Sequence, residues 1–169
     1  PYDTMEEVIG IREGDYDDMG SLKDYGVSYR QVDLTDQNKI DYDSIIELLK
    51  SEKIKAVLIQ RSRGYDWRDS LTVEEIGNII KTVKHVSPET ICIVDNCYGI
   101  FVETKEPTEF GADLIVGSLI KNAGGSLALS GGYIAGTAEC VRKVGYRLTA
   151  PGLGKHVGAS LGMNRNMFQ

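Results

Sequence analysis

An acid, a hydroxyl and a lysine follow short apolar runs in the middle of the chain. Residues 91–94 form one run that leads to Asp95, and residues 114–116 form another that is followed by Ser118 and Lys121. Short apolar runs of this kind predict neighbouring strands of a buried parallel sheet, and ligands bind beyond the carboxyl ends of such strands. The three side chains are therefore expected to converge on one crevice.

This set of side chains suits the chemistry of an aldehyde cofactor, pyridoxal 5'-phosphate. Lys121 is predicted to form a Schiff base, the internal aldimine, and Asp95 to pair with the ring nitrogen so that the ring can take up electrons. Ser118 is predicted to donate its hydroxyl to the cofactor phosphate, and Tyr98 is predicted to place its phenol on the ring hydroxyl. We expect burial to lower the pKa of Lys121 from about 10.4, because the neutral amine is the form that attacks an aldehyde.

Each of these residues also has an ordinary interpretation. A lysine after a strand is usually a surface lysine, and an aspartate at a strand end often caps a turn. The combination favours a site, since these residues follow predicted strands and precede Gly124 and Gly125. Paired glycines remove side chains where the backbone must approach a ligand closely.

The elements that must position these residues alternate along the chain. Residues 27–34 alternate as a strand does, and a helix is predicted to begin near Asp41. Residues 54–59 predict a buried strand. A second helix is predicted to begin at Thr72, with Glu75 completing a capping box.

Three more strands and a helix complete this pattern. The strands are predicted at residues 91–94, 114–116 and 133–135, and the helix from Thr137 to about Leu148. Alternation of this kind predicts an α/β fold, a three-layer α/β/α arrangement around a mostly parallel sheet.

Two arginines lie in the loop that follows the strand predicted at residues 54–59. Arg61 and Arg63 are candidates to bind a substrate carboxylate or the cofactor phosphate, because a planar guanidinium matches the geometry of such groups. The alternative is a solvated loop with surface arginines.

Composition and charge indicate which kinds of molecule the chain is expected to bind. The 169 residues include 41% hydrophobic and 26% charged side chains, with a net charge of −6 and no Lys/Arg block, which argues against nucleic acid. No apolar stretch is long enough for a membrane span, and no signal peptide is visible. We expect a cytoplasmic protein, since an odd number of cysteines suits a reducing compartment.

No metal site is expected from the three cysteines and two histidines. These are Cys92, Cys97, Cys140, His85 and His156, and none of the cysteines forms a Cys-x-x-Cys pair. Cys97 lies close to Asp95 and has two interpretations, a nucleophile or a small residue packed near the cofactor, of which packing is favoured.

The segment resembles the aspartate aminotransferase-type, or fold type I, pyridoxal phosphate enzymes. Asp95-Asn96 followed by Gly111-Ala112-Asp113, Ser118 and Lys121 is similar to lyases of cysteine and methionine metabolism. Tyr98, three residues after Asp95, is closer to aminotransferases. The chain as a whole most resembles the methionine gamma-lyase-like family, also called aluminium resistance proteins. Four strings carry that resemblance: Tyr2-Asp3-Thr4, Gln60-Arg61-Ser62-Arg63-Gly64-Tyr65, Lys121-Asn122-Ala123-Gly124-Gly125 and Gly131-Gly132-Tyr133.

The resemblance implies a pyridoxal phosphate-dependent carbon–sulfur lyase that acts on a sulfur-containing amino acid. It also implies a homo-oligomer, a dimer or tetramer, with the site at a subunit interface. Residues 1–148 are then expected to be part of the large, cofactor-binding domain, and residues 149–169 a loop that leads to a C-terminal domain.

Two alternatives to a lyase stay open. Another pyridoxal phosphate reaction, such as transamination, would use the same scaffold, and Tyr98 favours it. A nucleotide-binding or purely structural α/β module is the second, but neither Gly-x-Gly-x-x-Gly after a first strand nor a phosphate-binding Gly-x4-Gly-Lys-Ser/Thr is present.

Overall fold

Among the residues that the structure describes, four α-helices and four strands make up most of the regular structure, with two short 3-10 helices at Lys23–Tyr25 and Pro107–Phe110. The computed structural model describes residues 3–11, 20–123, 125, 127–148, 150–156 and 162. The helices are α1 Asp3–Ile9, α2 Tyr42–Ser51, α3 Val73–Val86 and α4 Ala138–Leu148. The strands are β1 Ala56–Gln60, β2 Ile91–Asp95, β3 Leu114–Ser118 and β4 Gly132–Gly136. Most of the link predicted at residues 149–169 lies outside the described residues.

The strands form one sheet in the order β1-β2-β3-β4. The first three strands are parallel, and β4 pairs antiparallel to β3. In the register Gln60 lies beside Asp95, and Asp95 beside Val116, so the parallel strands end at one edge. The predicted α/β fold with a mostly parallel sheet is confirmed.

Helix α3 supplies much of the core, and its sequence explains why it begins where it does. The Thr72 hydroxyl accepts a hydrogen bond from the Glu75 amide, and the Glu75 carboxylate accepts one from the Thr72 amide. The predicted capping box is thereby confirmed, and it satisfies amide groups that the helix itself leaves unpaired. The apolar face of α3 packs on the sheet through Ile76, Ile79, Ile80 and Val83.

The strand predicted at residues 27–34 is wrong. The segment contains no strand, and Val27 at its start is 46% exposed. The Tyr29 hydroxyl donates to Gln31 and the Gln31 amide to Asp33, so side chains two residues apart bond to each other rather than to a sheet. Alternation describes an extended chain, but a strand also needs a neighbouring backbone as its hydrogen-bond partner.

Within the described residues, no helix has the length and apolar character required to cross a membrane.

Candidate active site

The predicted site residues lie where the parallel strands end. Asp95 is the last residue of β2 and Ser118 the last residue of β3. The backbone bonds continue past the strands, since the Arg61 amide donates to the Asp95 carbonyl and the Asn96 amide to the Val116 carbonyl. The segments that follow β1, β2 and β3 therefore begin side by side.

Lys121 lies in a single wide helical turn, Leu119–Ala123, directly after β3. The turn is not regular at the lysine, where φ is −97° and ψ is −117°. The Lys121 carbonyl accepts a hydrogen bond from the Gly125 amide at 2.9 Å. Its side chain is half-buried and extends to the turn after β2, where it meets Cys97 and Tyr98.

Both neighbours contact the lysine nitrogen. Nζ of Lys121 donates to Sγ of Cys97 at 3.3 Å and lies 4.2 Å from the centre of the Tyr98 ring. The first contact is a hydrogen bond and the second a cation–π interaction. From sequence, the Tyr98 phenol is predicted to contact the cofactor ring hydroxyl. In the structure, the Tyr98 ring lies against the Lys121 nitrogen.

A cavity of about 450 Å³ opens at the lysine. Its lining joins the turn after β2 with the loop after β1: Ser62, Arg63, Gly64, Tyr65, Ser70, Tyr98 and Lys121. The volume falls within the range of small-molecule sites. Of the predicted site residues, Lys121, Tyr98 and Arg63 therefore share one cavity.

Asp95 does not line that cavity but is connected to Lys121 through a single residue. The Cys97 amide donates to Oδ1 of Asp95 at 3.1 Å, while the Cys97 sulfur accepts from the lysine. Cys97 was interpreted from sequence as a packing residue, and its contact with Lys121 was missed. The signal available was its position, two residues after Asp95.

Ser118 lies at the end of β3, in register with Gly132 of β4. Its hydroxyl makes no hydrogen bond to other described residues, and its side chain is half-buried. Of the paired glycines, Gly125 has a positive φ of 47°, which favours glycine, and Gly124 lies outside the described residues.

The pKa of Lys121 is raised, contrary to the expectation from burial. Desolvation of the half-buried amine lowers the pKa, but the contacts with Cys97 and Tyr98 raise it further than burial lowers it. Because these contacts favour the charged form, Lys121 is an ammonium group at neutral pH in this structure.

Arg61 belongs to a buried network rather than to the cavity. It is 4% exposed, and its guanidinium donates to Asn96 Oδ1 at 2.8 Å, the Gly99 carbonyl at 2.9 Å and Glu103 Oε1 at 2.6 Å. The same Glu103 oxygen accepts from the amide of Val73 at the start of α3. Arg61 thus ties the turn after β2 to the first turn of α3.

Asn96 is the centre of this network and was missed from sequence. Its side-chain amide is fully buried and donates to Glu106 at 2.9 Å and to the Tyr133 hydroxyl at 3.1 Å. A Cβ on Gly99 would come within 2.1 Å of the Asn96 oxygen, so the turn needs glycine there. The available signal was its position directly after Asp95, at the end of a predicted buried strand, because an amide buried there requires partners.

Arg63 is exposed at the cavity rim. Its guanidinium lies 5.3 Å from the centre of the Trp67 ring, and Trp67 is 87% exposed. Among the described ranges, no three His, Cys, Asp or Glu side chains are grouped so as to hold a metal ion.

The chain resembles known proteins over its whole length. The sequence family described as methionine gamma-lyase matches residues 1–169. The uncharacterized protein YnbB of Bacillus subtilis is 48% identical over 169 residues, covering 100% of this chain and 39% of that protein.

Two solved structures share the fold. One, from Clostridium acetobutylicum, is provisionally named a cystathionine beta-lyase involved in aluminum resistance; it is 50% identical, with a TM-score of 0.91 over 99% of this chain. The other, a carbon-sulfur lyase involved in aluminum resistance from Clostridium novyi NT, is 50% identical with a TM-score of 0.90 over 99% of this chain. This chain covers 39% of each of those chains. A match over all of its residues places the chain in the methionine gamma-lyase family.

Proposed function

We propose that this chain carries the lysine of a pyridoxal 5'-phosphate-dependent carbon–sulfur lyase that acts on a sulfur-containing amino acid of the cystathionine or methionine type. The observation that carries the proposal is the Lys121 amine at the wall of a cavity of about 450 Å³, beside the strand end that bears Asp95. The names of the related structures support a lyase.

The residues present fit this cofactor. The Lys121 amine can condense with an aldehyde, with loss of water, and the Ser118 hydroxyl has no partner among the described residues and can donate to a phosphate. The Asp95 carboxylate can pair with a protonated ring nitrogen, and Tyr98 supplies a phenol at the cavity wall. When bound, the cofactor supplies a ring that accepts electrons from the substrate α carbon.

The chain's own residues then have separate tasks. Arg63 offers a guanidinium at the cavity rim for the carboxylate of the amino acid. Lys121 Nζ, once neutral, would accept the proton from the α carbon of the amino acid. Asp95 and Ser118 hold the cofactor in position.

Transamination is the second candidate function. The Tyr98 phenol three residues after Asp95, beneath the Lys121 nitrogen, is the observation that favours it. A lyase releases a thiol, an oxo acid and ammonia, whereas a transaminase moves the amino group to a second oxo acid, so the products separate the two.

We propose that the site is completed by further polypeptide, including a second subunit of a homo-oligomer. The chain covers 39% of the related structures, so the activity belongs to the full-length protein. Exposed aromatic side chains in the segments that follow β1 and β2 support this proposal, because Tyr65 is 92%, Trp67 87% and Phe101 80% exposed. Exposed aromatic groups in such number are typical of surfaces that contact a partner.

Reduction with borohydride tests the proposed function. Full-length protein loaded with pyridoxal phosphate and reduced should carry one pyridoxyl group, and peptide mapping should place it on Lys121. A panel of sulfur-containing amino acids should then release thiol with no second oxo acid present. Serine and alanine serve as matched substrates that lack sulfur. Labelling of another lysine, or turnover that requires a second oxo acid, would contradict the lyase assignment.

The two arginines are expected to respond differently to substitution. Arg63→Gln should raise KM for the amino acid by about tenfold or more, because a charged hydrogen bond to carboxylate is lost, and leave stability unchanged. Arg61→Gln should lower the free energy of unfolding by about 2 to 3 kcal/mol, since it removes the ion pair with Glu103 and leaves the buried Asn96 oxygen without its donor. Substrate kinetics and urea unfolding of both variants are the measurements. If both variants changed KM and the free energy of unfolding by the same amounts, the buried Arg61 and the exposed Arg63 would not have separate roles.

A further inference from the structure

Cys97 contacts the lysine of the proposed site, and the proposed function does not use it. Its sulfur lies 3.3 Å from Lys121 Nζ, and its amide donates to Asp95 at 3.1 Å. In the described part of the chain, Cys97 is thus bonded to both residues that the proposed chemistry needs. The thiol is half-buried and forms no disulfide.

We infer that Cys97 is a positioning residue for Lys121: its sulfur accepts a hydrogen bond from the amine and holds it, charged, over the Tyr98 ring until an aldehyde competes for the nitrogen. The inference rests on the proposed role of Lys121. Two contacts fix the nitrogen, the sulfur at 3.3 Å and the ring centre at 4.2 Å, and both come from the turn after β2.

The buried network explains why this turn can hold the lysine in place. Asn96, directly before Cys97, is fully buried, and the carbonyl of Gly99 accepts from Arg61. The Asn122 side chain, next to the lysine, donates to the Tyr98 carbonyl. The sulfur is therefore carried on backbone that is bonded on both sides.

The charged and titratable groups around Lys121 come from two loops. Cys97 and Tyr98 face it from the turn after β2, and Arg63 and Tyr65 line the same cavity from the loop after β1. Asp95 is linked to Lys121 indirectly, because its carboxylate accepts a hydrogen bond from the amide of Cys97. Burial lowers the pKa of Lys121, and the contacts with Cys97 and Tyr98 raise it further than burial lowers it.

Removal of the sulfur should therefore make the amine reactive at lower pH. In Cys97→Ala the pKa of Lys121 should fall by about half a unit to one unit, the value of one ordinary hydrogen bond. At a fixed pH below that pKa, the amine should react about three to ten times faster. Cys97→Ser keeps a hydrogen-bond acceptor and should stay close to the unsubstituted protein.

Competitive acetylation measures this without any cofactor. Full-length protein, freed of cofactor with hydroxylamine and dialysed, is labelled with trace acetic anhydride across a pH series. Mass spectrometry then gives the pH midpoint for Lys121. Cys140→Ala on α4 is the matched cysteine control and should leave the midpoint unchanged, since Cys140 lies on an element that packs against β4. A lower midpoint in Cys97→Ala alone supports the inference.

Two outcomes would overturn the inference. One is a midpoint in Cys97→Ala equal to that of the unsubstituted protein, and the other is an equal fall in Cys97→Ser. Failure of the proposed function looks different, because then Lys121 gains no borohydride-stable pyridoxyl group although its acetylation midpoint still depends on Cys97.

Discussion

Lys121→Ala should leave a protein that folds but captures no aldehyde cofactor. The substitution removes the amine that lines the cavity, and Lys121 is the one lysine among the described residues that does so. Lyase turnover should fall by more than about a thousandfold, because the same nitrogen provides both the covalent link and the proton transfer. Borohydride reduction followed by mass spectrometry measures the captured cofactor, and thiol release measures turnover.

Two further variants separate the amine from its charge. Lys121→Arg keeps a positive group near the Tyr98 ring but cannot condense with an aldehyde, so it should behave as the alanine variant does. Lys50→Ala, in the last turn of α2, removes a lysine far along the chain from the site and should retain full activity. Turnover in Lys121→Ala within tenfold of the unsubstituted protein would remove Lys121 from the chemistry.

The sheet could be predicted from sequence because each strand is short, apolar and followed by a polar residue. The strand at residues 91–94 and the capping box at Thr72 and Glu75 are local patterns, and both appear as expected. The strand predicted at residues 27–34 fails because its alternation is also local, while strand formation depends on a distant partner strand, and the described residues provide none there.

The site could be predicted only in part, for the same reason. Strand ends reveal Asp95 and Ser118, since their positions follow from the sheet alone. The contact between Cys97 and Lys121 joins residues 24 positions apart, and the bond between Arg61 and Glu103 joins residues 42 apart. Sequence spacing shows neither contact, so Arg61 and Arg63 looked equivalent although one is buried and the other exposed.

The direction of the pKa shift of Lys121 could not be predicted from sequence for the same reason. Burial could be anticipated from the strand pattern, and burial alone disfavours the ammonium form. The two contacts that reverse the direction come from one turn, and their geometry depends on the buried Asn96 that holds it. The contacts of Lys121 thus favour a proton on its nitrogen, and that proton has to leave before the amine attacks an aldehyde.

Asp95→Asn should retain the cofactor and lose most of the rate. The amide has the same shape as the carboxylate, and its oxygen can still accept from the Cys97 amide, so the turn is preserved. The negative charge that would stabilise a protonated ring nitrogen is lost. Proton abstraction from the amino acid should slow by about a hundredfold to a thousandfold, the usual effect of removing one electrostatic partner.

Exchange of the substrate α proton for deuterium, followed by NMR, isolates that step from thiol release. The fraction of protein that carries a borohydride-stable pyridoxyl group is measured in parallel, so that slow exchange is not mistaken for an empty site. Asp43→Asn, in the first turn of α2, is the matched control and should exchange at the normal rate. Exchange at the normal rate in Asp95→Asn would show that the carboxylate acts by holding the turn after β2, through the Cys97 amide, and not on the cofactor ring.

A low cofactor content would show instead that Asp95 mainly binds the cofactor. Only slow exchange with normal loading fits the electronic role.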